Sequence, residues 1–322
     1  MKVAVTDYTF DSLDTETAVL TPLGAAVVGR RCKTPAELKE LVADADAVIT
    51  QFAPITADVI GAMTKARVIV RYGIGVDNVD LEAARVRGIP VCNVPAYCID
   101  EVADHTLALI LALTRQVVPT CIHLRGGQWS LPAPLESMHA LKSLTVGVVG
   151  FGRIGREVAN RLRAFKSKVV VFDPVVPAAE IERAGCVPAG LDELLRSADV
   201  LTLHCPSTPA TVRMIDSAAL AKMKPGALLI NVGRGNLVDT SALIEALQSG
   251  RLGGAGLDVC DPEPIPSGSP LLAMGNVVLT PHVASASVPA VSSLRTQVAQ
   301  TAARALRGES LENVVNGVYR AG

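Results

Sequence analysis

Aromatic side chains are scarce in this chain: five Phe, four Tyr and one Trp make up 3% of it. Scarcity on that scale argues against a base-stacking platform of the kind single-stranded nucleic-acid binders use. An excess of charge of either sign is missing too. The formal net charge is −1, the pI is about 6.5 and no basic block occurs, so neither nucleic acid nor an anionic membrane is an expected partner. No apolar run reaches the roughly 20 residues that span a bilayer, and MKVAVTDYTF lacks the layout of a signal peptide. The seven cysteines (32, 92, 98, 121, 186, 205 and 260) are odd in number and contain no CxxC pair. Free thiols in a cytoplasmic protein are therefore expected, with no disulfide framework and no metal site.

What is abundant is apolar surface, at 49% of 322 residues against 19% charged. A chain of this length and composition suits two globular cores. Short β-branched runs alternate with helical stretches, the pattern of parallel sheets with crossover helices. KVAVTD, AAVVG, DAVIT, RVIVRYG and PVCNV form a first block of strands. TVGVVG, KVVVFD, DVLTLHC, GALLINVG, GGAGLDV and NVVLTPH form a second. Residues 100–116 are apolar all round at their centre, as expected for a helix buried on several faces. Residues 125–137, with the only Trp, read as an exposed arm or loop. The expected division is one domain of 1–99 with a returning helix in 288–322, and a second of 100–287.

GFGRIG (150–155) fits G-x-G-x-x-G between a strand and a helix. In that setting Gly150 makes the tight turn and Gly152 admits backbone close to a pyrophosphate. Gly155 packs helix on strand, and the helix N-terminus favours the anion. Asp173 ends the next strand, where a carboxylate accepts the ribose hydroxyls of NAD. No Lys or Arg follows in DPVVPAAE to neutralise a 2′-phosphate, so NAD is favoured over NADP. Further along, Arg234 stands between two glycines, poorly shielded and able to hold a carboxylate at two points. Asp258 and Glu263 lie in LDVCDPEP, with prolines either side of Glu263, and LTPH supplies His282. These residues fall at the carboxyl ends of strands, the edge where α/β sheets bind ligands.

GFGRIG, NVGRG, DVCDPEP and TPH, in this order and spacing, resemble the D-isomer-specific 2-hydroxyacid dehydrogenase family over residues 45–320. The resemblance implies a flavodoxin-like substrate domain and a Rossmann NAD-binding domain. It implies an enzyme interconverting a D-2-hydroxy acid and its 2-oxo acid, with Arg234, Glu263 and His282 as the catalytic set. Arg234 would bind the carboxylate and polarise the 2-oxo group. His282 would carry the proton, and Glu263 would stabilise the imidazolium. The implied cofactor contacts are Gly150, Gly152, Arg153, Ile154, Gly155, Asp173, Cys205, Pro206, Thr211, Val232, Gly233, Asp258 (near the nicotinamide carboxamide) and Ser285. A homodimer built through the NAD domain, with 117–140 as its arm, is implied by the same resemblance. His105, His123, His139 and His204 are expected to be structural or peripheral.

RYGIGVDNVD matches the family on the substrate side. Backbone N–H groups around Gly73, Ile74 and Gly75 would cradle a carboxylate, Arg71 would meet a second anionic group, and Tyr72 and Ile74 would shape the pocket wall. Tyr72 departs from the small residue many phosphoglycerate dehydrogenases carry, which weakens a 3-phosphoglycerate assignment. A serine-sensing C-terminal domain is not expected. Two other functions stay open: an NAD(H)-sensing corepressor-like binding protein, and a dehydrogenase of phosphite or a phosphonate.

Overall fold

The computed structural model describes residues 1–319, so the last three residues of the expected 288–322 segment lie outside the described residues. The chain folds into two compact units, one of Met1–Tyr97 with the chain from Ser287 onward, the other of Cys98–Ala286.

The first unit is built on five parallel strands: β1 (Lys2–Val5), β2 (Ala26–Gly29), β3 (Ala47–Thr50), β4 (Ile69–Arg71) and β5 (Val91–Cys92). Their order is β2-β1-β3-β4-β5, the flavodoxin-like arrangement. Around them run α1 (Asp14–Leu20), α2 (Pro35–Val42), α3 (Ala57–Ala62) and α4 (Leu81–Val86). Alternation along the strands divides the core into two layers. Val3, Val5, Ile49 and Val70 pack with Leu20 and the C-terminal helix, whereas Ala4, Val48 and Ile69 pack with α2 and α3. Both faces of the central strands are covered, which is why β1, β3 and β4 read as near-continuous apolar runs rather than alternating. Thr34 and Glu37 start α2 with a reciprocal capping box. The edge of β5 is closed by the returning chain: Asn316 accepts from Val91 N at 3.1 Å and donates to Ile89 O at 2.9 Å.

The second unit opens with α5 (Ile99–Thr114) and α6 (Val117–Arg125). Seven parallel strands follow: β6 (Thr145–Val149), β7 (Lys168–Phe172), β8 (Val187–Pro188), β9 (Val200–Leu203), β10 (Ala227–Asn231), β11 (Leu252–Leu257) and β12 (Val277–Leu279). Between them lie α7 (Arg153–Ala164), α8 (Ala178–Arg183), α9 (Leu191–Ser197), α10 (Ser217–Lys222) and α11 (Thr240–Gln248). The order β12-β11-β10-β9-β6-β7-β8 reverses direction beside β6, the Rossmann switch point. The chain closes with α12 (Val288–Arg307) in the first unit, capped by Ser287 at its start and by Gly308 in the left-handed conformation at its end.

Helix α5 is buried over several faces, with Val102, Ala103, Thr106, Leu107, Leu109, Ile110, Leu113 and Thr114 inside, while Asp104 and Ala108 are exposed. Arg161 of α7 binds Asp100 at 2.6 Å and Asp104 at 2.8 Å along that open side. Trp129 is 90% exposed, in keeping with an arm-like 125–137 segment. No single helix among the described residues is long and apolar enough to cross a membrane; α5 and α6 have the combined length but bend by 60° between them.

Candidate active site

The glycines of GFGRIG divide into tight and open positions. Gly150 has φ +92°, and a Cβ there would meet Cys205 N at 2.7 Å. A Cβ on Gly155 would meet Gly150 O at 2.0 Å, so α7 reaches its place against β6 only without a side chain. Gly152 is the opposite, with nothing within 4 Å of the place its Cβ would take. That open space lies where α7 begins, with Arg153 and Ile154 in its first turn. A phosphate group fits it by both size and charge.

Asp173 follows β7 and is tied to the same turn. Its carboxylate accepts from Phe151 N at 2.7 Å, Val175 N at 2.8 Å and Val176 N at 3.0 Å. Burial alone would raise its pKa, but the three N–H donors hold it below the usual carboxylate range. The anion is fixed beside the glycine turn, as ribose recognition requires. The residues present therefore fit a dinucleotide.

Around this turn, Cys205 Sγ lies 3.7 Å from Met214 Sδ, and burial pushes its thiol up to about 11, so it stays protonated. Thr211 Oγ1 donates to Pro206 O at 2.7 Å and accepts from Thr208 N at 2.8 Å, which fastens the 206–211 loop. His204 is partly buried, with Nε2 2.9 Å from Thr202 Oγ1, and burial pushes its pKa down to about 3.

Strand β10 delivers Arg234 through a clasp that the sequence pattern did not single out. Buried Asn231 accepts from Gly233 N at 3.1 Å and donates to Arg234 O at 2.8 Å. Arg234 Nη1 donates to Gly233 O at 2.8 Å, and Val232 is nearly buried. Gly235 presses on the next loop: its Cβ would sit 1.9 Å from Cys260 O. The Arg234 turn and the DVCDPEP loop are thus held backbone to backbone. An asparagine just before V-G-R-G was the available signal.

His282 Nδ1 stands 2.5 Å from Glu263 Oε1, a pair 19 residues apart in the chain. His282 has φ +54°, an uncommon conformation for a residue with a side chain. Its N–H donates to Asp258 O at 2.8 Å and Thr280 O at 3.1 Å. Asp258, 2% exposed, uses both carboxylate oxygens on this loop. Oδ1 accepts from Thr280 Oγ1 at 2.6 Å and Val283 N at 2.9 Å, and Oδ2 from Ala284 N at 2.9 Å. Ser285 follows directly. His282, Glu263 and Asp258 are brought together, and Gly235 joins the Arg234 turn to the same loop cluster.

In the first unit Arg71 ends β4 and is 8% exposed, its guanidinium 5.9 Å from the Phe52 ring. A Cβ on Gly73 (φ +135°) would collide with that side chain. Among the described residues, nothing accepts from the N–H groups of Ile74 and Gly75. Asp7, another residue the sequence pattern did not single out, fastens the neighbouring loop by accepting from Gln51 N and Phe52 N. Tyr72 requires a correction. It is 2% exposed and its hydroxyl donates to Glu16 Oε1 at 3.0 Å, so it faces the core rather than a pocket wall. Tyr72 directly follows β4 and packs in the core cluster that holds Val70, two residues before it. Burial and the Glu16 carboxylate raise its pKa far above the usual phenol range.

Residues 107–284 match the family model described as the D-isomer specific 2-hydroxyacid dehydrogenase, NAD binding domain. A D-3-phosphoglycerate dehydrogenase of Mycobacterium tuberculosis is 41% identical over 281 residues, 87% of this chain and 53% of that one. The chain thus spans about half the length of the phosphoglycerate dehydrogenases it matches. A glyoxylate reductase of Korarchaeum cryptofilum is 39% identical over 86% of this chain and 84% of its own. Among solved structures, D-lactate dehydrogenase from Aquifex aeolicus, complexed with NAD and lactic acid, superimposes with a TM-score of 0.86. It is 29% identical, over 96% of each chain. The glycine turn, the anchored Asp173 and the His282–Glu263 pair thus stand on a scaffold shared along nearly its whole length, and the chain belongs to the D-isomer-specific 2-hydroxyacid dehydrogenase family.

Proposed function

We propose that this protein is an NAD-dependent dehydrogenase interconverting a D-2-hydroxy acid and its 2-oxo acid. The observation that carries the reading is the His282–Glu263 pair at 2.5 Å, at the carboxyl edge of the sheet whose other strands end in the glycine turn and Arg234. Bound NADH supplies the hydride. Gly150, Gly152, Gly155 and the start of α7 hold its pyrophosphate, and Asp173 holds the ribose. The loops carrying Cys205, Pro206, Thr211, Val232, Gly233 and Ser285 line the rest of the cofactor.

His282 donates a proton from Nε2 to the 2-oxo oxygen during reduction and removes it during oxidation. Glu263 accepts a hydrogen bond from Nδ1–H, which fixes the ring's orientation and leaves Nε2 to face the substrate. Arg234 holds the substrate carboxylate and draws charge towards the oxygen where it develops. Within the first unit, the N–H groups of Ile74 and Gly75 are open to a carboxylate, and Arg71 favours a substrate with a second anionic group. The Cys98–Ala286 unit is accordingly the cofactor domain, and the other unit the substrate domain.

A homodimer is part of the proposal, supported by the exposed apolar side chains Ile122, Leu124, Trp129 and Leu135; light scattering tests it. The free cysteines suit the cytoplasm. The deciding experiment is an NADH-oxidation screen over 2-oxo acids, phosphorylated ones included. Steady turnover is expected, and tight NADH binding without turnover on any acid would favour a sensor instead.

A further inference from the structure

Two residues with no part in the proposed chemistry reach His282 through a chain of hydrogen bonds within one unit. His105, on α5, has Nε2 2.9 Å from Thr280 Oγ1. Thr280 in turn stands 2.6 Å from Asp258 Oδ1. The proton positions follow from valence. An ionised Asp258 only accepts, so the single Thr280 hydroxyl proton points to it. Thr280 Oγ1 is then the acceptor towards His105, and His105 must carry its proton on Nε2. The direction of the chain is fixed: His105 donates to Thr280, and Thr280 donates to Asp258.

At its far end the chain meets the strained residue. Asp258 binds Val283 N and Ala284 N through its side chain and His282 N through its carbonyl. A left-handed backbone at a residue with a side chain persists only where the surroundings over-determine it. Here the Asp258 carboxylate does so, and its own rotamer is set by Thr280 and His105. Proline at 281 fixes the backbone on the other side of the turn. The imidazole direction therefore depends on a helix residue 175 positions before Thr280.

We infer that His105 and Thr280 are positioning residues that hold the His282 loop in its productive conformation. The kinetic arm of this inference rests on the proposed dehydrogenase activity; the exchange arm does not. Thr280→Val keeps the shape and removes the hydroxyl, while Thr280→Ser restores it. His105→Leu removes the donor, while His105→Gln offers an amide N–H at similar reach.

In T280V and H105L, kcat should fall about ten- to a hundredfold, the scale of a misplaced catalytic group. KM for the 2-oxo acid and NADH affinity by fluorescence titration should change far less. T280S and H105Q should recover most of the loss. A folded core that merely lost stability would not produce this split. Independently of turnover, hydrogen exchange at the Val283 and Ala284 amides should be slow in wild type and T280S but fast in T280V, at unchanged melting temperature. Wild-type kcat in T280V or H105L, equal impairment of valine and serine variants, or unchanged exchange in T280V would each overturn the inference. If wild type turns over no 2-oxo acid, the dehydrogenase reading fails, and the exchange comparison still decides the positioning role.

Discussion

Alanine at Gly155 and alanine at Gly152 should fail in opposite ways. At Gly155 the new Cβ would lie 2.0 Å from Gly150 O and 3.1 Å from Gly150 C, both backbone atoms. A carbon–oxygen contact needs more than 3 Å, so α7 or the glycine turn must move by about an ångström. Overpacking of this kind costs about 1–3 kcal/mol. For a folding unit of this size each kcal/mol lowers Tm by about 2–4 °C, so a loss of about 2–12 °C is expected. At Gly152 nothing lies within 4 Å, and φ −72° with ψ −161° is open to alanine. Stability should stay within about 0.5 kcal/mol of wild type. The methyl instead enters the space assigned to the pyrophosphate, and NADH binding should weaken about tenfold or more, or roughly 1.4 kcal/mol. Differential scanning fluorimetry and NADH fluorescence titration read the two quantities separately. An unchanged Tm in G155A would refute the close approach. Undiminished NADH affinity in G152A would refute the assignment of that space.

Three further outcomes follow from single contacts. His204 has its pKa pushed down to about 3 in the fold, against about 6.5 when unfolded, so between those values only the unfolded chain binds the proton. Its contribution to stability is complete above about pH 6.5 and is lost as pH falls towards 3, by about 1.4 kcal/mol per pH unit. Denaturation of H204N across about pH 4–6 should show a slope shallower by about that amount; an unaltered slope would mean the imidazole is protonated in the fold. Arg295 makes a two-point bond to fully buried Glu16, at 2.9 and 2.7 Å. Arg295→Leu leaves that carboxylate with the Tyr72 hydroxyl but no charge partner and should cost about 3–5 kcal/mol in urea unfolding. Adding Glu16→Gln should return part of the loss. His282→Ala should reduce kcat by about 10²–10⁴ with NADH affinity nearly intact, whereas a matching loss of NADH binding would assign the histidine a structural role.

Much of the architecture was legible because it is written in local chemistry. Strand and crossover-helix alternation predicts the two parallel sheets, and α12 starts and stops at Val288 and Arg307 because Ser287 and Gly308 supply its caps. The glycine turn is equally local, since its steric demands fall within six residues. Tyr72 shows where local pattern ends: a tyrosine beside a glycine loop resembles a pocket wall, yet the fold brings Glu16, 56 positions earlier, to its hydroxyl.

The sequence by itself determined the βα rhythm, the dinucleotide turn, the acid at the end of β7 and the order of Arg234, Glu263 and His282 along the strand ends. These depend on period, turn chemistry and spacing, all of which are short-range. Tertiary structure alone decided which oxygens Asp258 commits to the His282 loop, which histidine stands behind Thr280, and how Gly235 locks two loops together. Those contacts join residues tens to hundreds of positions apart, and no local propensity encodes them. They form only when the sheet has brought its strand ends side by side.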